Sequence, residues 1–300
     1  MIRLRSILIA LIMAGLMVTS AANAQALQCP DIVKQALQRV EQLCASVGRG
    51  KVCYGNSAVT TESTGVALAF SRPGDIADLS AVKRLTLSGY DQKAGTWGVV
   101  LMRVQAGLPD SAPGQAVTMI LLGDTQFGPS AGSKGAQAYF FKTGSGTPGC
   151  KQMPANGVLL ESPTGKQKAQ LTLNGVDLSI GSRVYLTISR KGAQPKLEIY
   201  TLEGEVEVTA AGKTAIATAG QNIGVPLDDN LEADDTPSEP VEEDPLTIDA
   251  LPVDLIDQLE SDFEDANPGV ATPEAHDATA IPPEPGNTDA TPAGADSKSG

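Results

Sequence analysis

Three hundred residues, 41% of them apolar, are enough for a buried core and about two domains' worth of chain, and only 4% aromatics make that core aliphatic. The formal charge of −13 is uneven: residues 228–300 carry 21 acids against one lysine, net −20, while 25–227 carry 19 bases and 14 acids, net +5. An acidic tail on a mildly basic body, with no basic–aromatic interleaving, argues against a nucleic-acid partner. The sole histidine, His276, sits in that tail, which removes Cys–His and Ser–His–Asp catalysis, since such a base must be fixed beside its nucleophile.

Residues 1–24 read as a signal peptide. Arg3 and Arg5 form a positive start, Ile7 to Val18 an apolar stretch, and Ala22-Asn23-Ala24 a small-residue cleavage site, so the mature chain would begin at Gln25. Retention as an anchor is the alternative, against which the apolar run is short for the ~20 residues that spanning needs. A lipid-anchored reading at Cys29 is weaker, because Gln28 precedes it where a small residue is expected. Pro30 to Val47 has helical periodicity, with Ile32, Val33, Ala36, Leu37, Val40, Leu43, Cys44 and Val47 on one stripe. Pro30 suits a first helical position and Gly48 a stop.

Cys29, Cys44, Cys53 and Cys150 are an even set in an exported chain and predict two disulfides. A continuous helix puts Cys29 and Cys44 about 22 Å apart, too far for a bridge that needs Cα atoms within about 7 Å. Two pairings remain: 44–53 with 29–150, or 29–53 with 44–150. The turn Gly48-Arg49-Gly50 favours the first. The spacings are not the paired short units of a zinc site, and no metal or cofactor is implied. Cys53-Tyr54-Gly55-Asn56 is the nearest approach to a nucleophile motif, with a structural disulfide as the stronger reading.

Residues 54–142 read as a β-rich unit after an N-terminal helical segment over 25–53. Val66–Phe70, Val82–Leu87, Trp97–Val104 and Val117–Leu122 are expected strands. Pro73-Gly74-Asp75, Leu108-Pro109-Asp110, Pro113-Gly114 and Gly128-Pro129 are expected turns, and the run 128–135 is small and flexible. Asp75, Asp78, Asp110 and Asp124 are candidates for a Ca²⁺ site, but none shows a ligand-loop spacing and turn aspartates usually serve the backbone. Residues 143–156 form a Gly/Pro-rich linker containing Cys150. Its run Gly144–Gly149 lacks the lysine and helix start of a phosphate loop.

The most regular stretch is 157–227. Asn174-Gly175 lies between two alternating runs, and a type I′ turn needs positive φ at both central residues, which this pair tolerates best. A two-residue loop fixes the register: Leu173 faces Val176, Leu171 faces Leu178, Ala169 faces Ile180, and Thr172 faces Asp177 on the other side. Alternation continues through Val184, Leu186 and Ile188, then Leu197 and Ile199, Val206 and Val208, Ile216, and Ile223 and Val225, each run ending in a Gly-containing turn. Short strands at this spacing, with no helix-length segment between them, predict an antiparallel sandwich or barrel.

Gly157-Val-Leu-Leu-Glu-Ser-Pro-Thr-Gly165, Leu202-Glu-Gly-Glu-Val-Glu-Val208 and Ala219-Gly-Gln221 resemble, in order and spacing, the FecR-type β-domain. Arg72 to Leu87 and Leu101 to Asp124 resemble a module that accompanies such domains. The resemblance implies an extracytoplasmic β-domain of the kind used in transmembrane signalling. Against that family pattern, no cytoplasmic region and no internal membrane helix are expected here, so signalling to a sigma factor is not implied, and Gly181–Tyr185 only loosely echoes another family stretch. The expected architecture is mainly β: an antiparallel sandwich or jelly-roll-like FecR-type domain, with a short N-terminal helix and a disordered acidic C-terminal tail over 228–300. Within the tail, 246–265 is amphipathic: Leu255, Ile256, Leu259 and Phe263 share a helical face flanked by Asp254, Asp257, Glu260 and Asp262. That segment is a candidate to fold on the basic body or on another protein. The expected function is non-enzymatic binding or sensing outside the cytoplasm, with an unidentified extracytoplasmic protein or envelope component as partner. The rival is a structural envelope or cell-surface protein whose β-domains contact proteins or polymers.

Overall fold

The computed structural model describes residues 28–65, 67–104, 116–130, 138–163, 168–192, 194–242 and 249–266, the side chains of 263–266 excepted. The expected signal peptide, Asp110, the turns at 108–110 and 113–114, and His276 lie outside the described residues.

Helix α1 (Cys29–Cys44) opens the described chain, with Pro30 in its first turn and Ile32, Val33, Ala36 and Val40 buried on one stripe. Leu43, expected on that stripe, is 42% exposed. The strands follow: β1 (Lys51–Asn56), β2 (Val59–Ser63), β3 (Ile76–Asp78), β4 (Val82–Leu87), β5 (Val99–Val104), β6 (Val117–Leu122), β7 (Thr125–Pro129) and β8 (Ala138–Thr143). The second half adds β9 (Gly157–Glu161), β10 (Ala169–Leu173), β11 (Val176–Ile180), β12 (Arg183–Ser189), β13 (Lys196–Glu203), β14 (Glu205–Ala210), β15 (Lys213–Thr218), β16 (Gln221–Pro226) and β17 (Val241–Glu242). Helix α2 (Val253–Ala266) closes the set.

Among the described residues the strands form two sheets, one of nine in the order β17-β16-β13-β12-β9-β6-β5-β1-β3 and one of eight in the order β15-β14-β11-β10-β8-β7-β4-β2. The two β-units expected from the sequence share both sheets. β6 pairs antiparallel with β9 in one, and β8 pairs parallel with β10 in the other. A single inter-sheet core runs from Val52 to Leu231, through Met102, Met119, Phe127, Leu160, Leu171 and Val208. The linker 143–156 therefore lies beside one sandwich, because the apolar edges of each half are closed by the other.

The hairpin is as the sequence predicts. Leu173 pairs with Val176, Leu171 with Leu178, Ala169 with Ile180 and Thr172 with Asp177. Asn174 and Gly175 take φ of 51° and 73°, the positive values the turn demands. Asn174 does more than turn the chain. Its buried amide accepts from Phe141 N at 2.9 Å and donates to Phe141 O at 2.8 Å and Leu231 O at 2.7 Å. One turn residue thus holds β8 beside β10 and fastens the segment after β16.

Two departures follow from burial on both sheet faces. β5 and β6 are buried at every position, so their sequences, Val-Val-Leu-Met-Arg-Val and Val-Thr-Met-Ile-Leu-Leu, do not alternate. Inward residues Val100, Met102, Met119 and Leu121 face the other sheet, while Val99, Leu101, Ile120 and Leu122 face α1 and α2 in a second apolar layer. The strand expected at Val66–Phe70 does not form over 67–70, which run irregularly, with Phe70 packed at a tilt against Tyr54. β1, β2, β3, β7 and β8 were not expected as strands.

Part of the expected acidic tail is ordered, and its residues 243–248 and 267–300 lie outside the described residues. Residues 228–242 and 249–266 are built into the body rather than disordered. Leu231 drops into the core, Leu227 bridges to Ala233, and Ile256 and Leu259 of α2 are fully buried in the layer beneath α1. A few apolar anchors suffice because the core they enter already exists.

Cys29 is bonded to Cys150 and Cys44 to Cys53, the pairing the turn at 48–50 favours, with Cα separations of 6.0 and 5.8 Å. The nucleophile-like run is structural. Cys53 is in a bridge, and a Cβ on Gly55 would stand 2.6 Å from Val40 Cγ2, so glycine lets α1 seat on β1. Asn56 donates to Trp97 O at 2.7 Å.

Candidate functional site

The most organised polar feature lies on the outer face of the nine-stranded sheet. Arg103 on β5 is directly opposite Thr118 on β6, Thr118 opposite Glu161 on β9, Glu161 opposite Arg183 on β12, and Arg183 opposite Glu203 on β13. Neighbouring strands lie about 4.8 Å apart, so the row crosses about 19 Å of sheet. Direct cross-strand partners share a face, which is why one polar residue per strand becomes a continuous ladder.

Helix α2 sits on this ladder. Arg103 is 1% exposed. It donates through Nη1 to Thr118 Oγ1 and to Glu260 Oε1, each at 2.8 Å, and through Nη2 to the main-chain carbonyl of Leu259 at 2.7 Å. Thr118 donates to the same Glu260 carboxylate. Arg183, 5% exposed, donates from Nε to Glu161, from Nη1 to Glu203 at 3.1 Å and from Nη2 to Asp257. Two carboxylates one helical turn apart, Asp257 and Glu260, thus meet two arginines three strands apart. Between them Ile256 and Leu259 enter the apolar layer formed with Leu101, Ile120, Leu159 and Tyr185.

The electrostatics follow from burial. Removal from water pushes the Glu161 carboxyl above its ordinary value, and the hydrogen bond and charge of Arg183 recover only part of this, with Glu203 and Glu260 adding repulsion. Burial pulls Arg103 down against the charge of Glu260. Burial also pulls on Arg183, but its bonds to Glu161 and Asp257 outweigh that and hold it above the ordinary arginine value. A planar guanidinium with five donors suits this multi-partner role better than an ammonium would.

The residues singled out from sequence are not gathered here. Asp75 accepts from the amides of Ser71 and Arg72 at 2.8 and 3.0 Å, Asp78 pairs with Lys51, and the Asp124 amide donates to Asn156 Oδ1 at 3.0 Å. Among the described residues no group of three His, Cys, Asp or Glu side chains stands close enough to hold a metal ion. The ladder residues were missed. Their signal is a single polar residue inside an otherwise apolar strand: Arg103, Thr118 and Glu161.

Comparison of the chain with protein-family models, with curated proteins and with solved structures returns no match.

Proposed function

We propose that this protein is a non-enzymatic binding or sensing protein that works outside the cytoplasm, with a FecR-like β-domain over 157–227. The order and spacing of the three motifs in that range support the family reading. Two disulfides fit an oxidising compartment. Among the described residues no helix is long and apolar enough to cross a membrane.

The observation that carries the reading is the seat of α2. Its side chains are arranged to recognise: arginines whose partners are carboxylates and a helix carbonyl, around sockets for two aliphatic side chains. The ladder's own carboxylates are tied to Arg183, which suits them to hold a surface in place rather than to exchange protons with a substrate.

The test is crosslinking capture from intact cell envelope with the full chain and with an Arg103→Gln variant. A single stoichiometric protein partner, lost in the variant, is expected. Retention spread across wall polymer and indifferent to the variant would contradict binding and favour a structural envelope role.

A further inference from the structure

We propose that the seat of α2 is a receptor for an acidic amphipathic helix supplied by another protein, with α2 as its resident competitor. This rests on the binding reading above and names the chemistry of the partner. The ligand pattern is the one α2 itself presents: apolar residues at i and i+3, carboxylates at i+1 and i+4, as in Ile256-Asp257-Gln258-Leu259-Glu260.

Three observations carry the proposal. First, the seat is braced by the sheet rather than by its occupant. Arg103, Thr118, Glu161 and Arg183 stand on four adjacent strands whose opposite faces fill the inter-sheet core. Arg103 bonds to Thr118, and Arg183 to Glu161 and Glu203, through contacts in which α2 takes no part. A seat held in place this way spends little ordering energy on binding.

Second, the occupant is weakly built. α2 has fourteen residues, near the length at which isolated helices are marginal. Its sequence carries six acids and no base, so no acid–base pairs along the helix brace it, and three of the acidic positions, 262, 264 and 265, fall in the C-terminal half, where the helix dipole opposes negative charge. Its stability comes from the seat, which makes it the element best suited to leave.

Third, the seat discriminates by charge and by backbone. A basic helix would set cations against Arg103 and Arg183. The bond from Arg103 Nη2 to Leu259 O also reads a helix carbonyl, which fixes the depth at which the ligand lies. Specificity of this kind combines an attractive pattern with a repulsive exclusion.

The test uses the full chain and a fluorescein-labelled peptide of residues 249–266. An Ile256→Asp/Leu259→Asp double variant vacates the seat. The peptide should bind the vacated chain about tenfold or more tightly than the wild type, whose own helix reduces the competent fraction. Adding Arg103→Gln to the vacated chain should weaken binding by about tenfold or more. A peptide with Asp257→Lys and Glu260→Lys should not bind. A Glu260→Gln single variant, which keeps every apolar contact, loosens α2 more gently and should give an intermediate affinity if the double variant fails to fold. Equal binding to wild type and to the loosened chains, or binding by neither, would overturn the proposal. Envelope capture of a partner that lacks an acidic helix would leave the binding reading standing and this one refuted.

Discussion

Asn174 shows how much one side chain can do beyond its local conformation. Asn-Gly is chosen for positive φ, and a glycine at 174 would meet that need equally well. The side chain, however, serves Phe141 and Leu231 from a fully buried position. Asn174→Gly should therefore cost about 2–4 kcal/mol, since buried main-chain groups lose their partners. Denaturant unfolding of the purified variant measures this, and a change of a few tenths would reduce Asn174 to a turn residue. Glu161 makes a second residue-scale prediction. Its carboxyl is raised above 4.5 in the fold, so the folded state holds the proton more tightly than the unfolded chain does. Its contribution to stability is full below pH 4.5 and is lost as pH rises through the raised value. The stability of wild type relative to Glu161→Gln should fall over that window, in paired unfolding curves at stepped pH. A difference that rises with pH would reverse the assignment and make the Arg183 contact dominant.

At the scale of elements, legibility tracked how many faces were covered. The β10–β11 hairpin has one buried face and one wet one, so period two and Asn-Gly specified it down to the register. Leu171, 4% exposed and opposite Leu178, tests that register: Leu171→Ala should lower unfolding free energy by about 2–5 kcal/mol. β5, β6 and β9 are covered on both faces, and a continuous apolar run carries no phase. The seat of α2 was therefore hidden, although Arg103, Thr118 and Glu161 were visible as lone polar residues. No local pattern says that three such residues on separate strands will align, because alignment is set by pairings between strands far apart in sequence. β1 and β3 stayed unread for a related reason: β1 is short and buried almost throughout, and β3 spans three residues. The amphipathic face of α2 was legible, and the acidic composition around it pointed instead to disorder.

Across the whole molecule, the two halves of the chain are held in one sandwich by β6–β9, β8–β10 and the shared core. The Cys29–Cys150 bridge closes a separation of 121 residues and joins α1 to the linker between those halves, whereas Cys44–Cys53 closes only nine. Loop-closure entropy gives about 5 kcal/mol for the first and about 3 for the second. Paired Cys29→Ser/Cys150→Ser substitution should lower the thermal midpoint more than Cys44→Ser/Cys53→Ser. The opposite order would mean that the long bridge adds nothing to a sandwich already closed.

What everything else depends on is that an acidic segment, instead of trailing in solvent, is seated by buried arginines on the nine-stranded sheet. Amide hydrogen exchange on the full chain reads this directly. Amides of 256–262 should exchange well below unstructured-peptide rates, and Arg103→Gln should accelerate them while leaving β5, β6 and β9 slow. Exchange of 256–262 at free-peptide rates in the unmodified protein would show that α2 is not seated there.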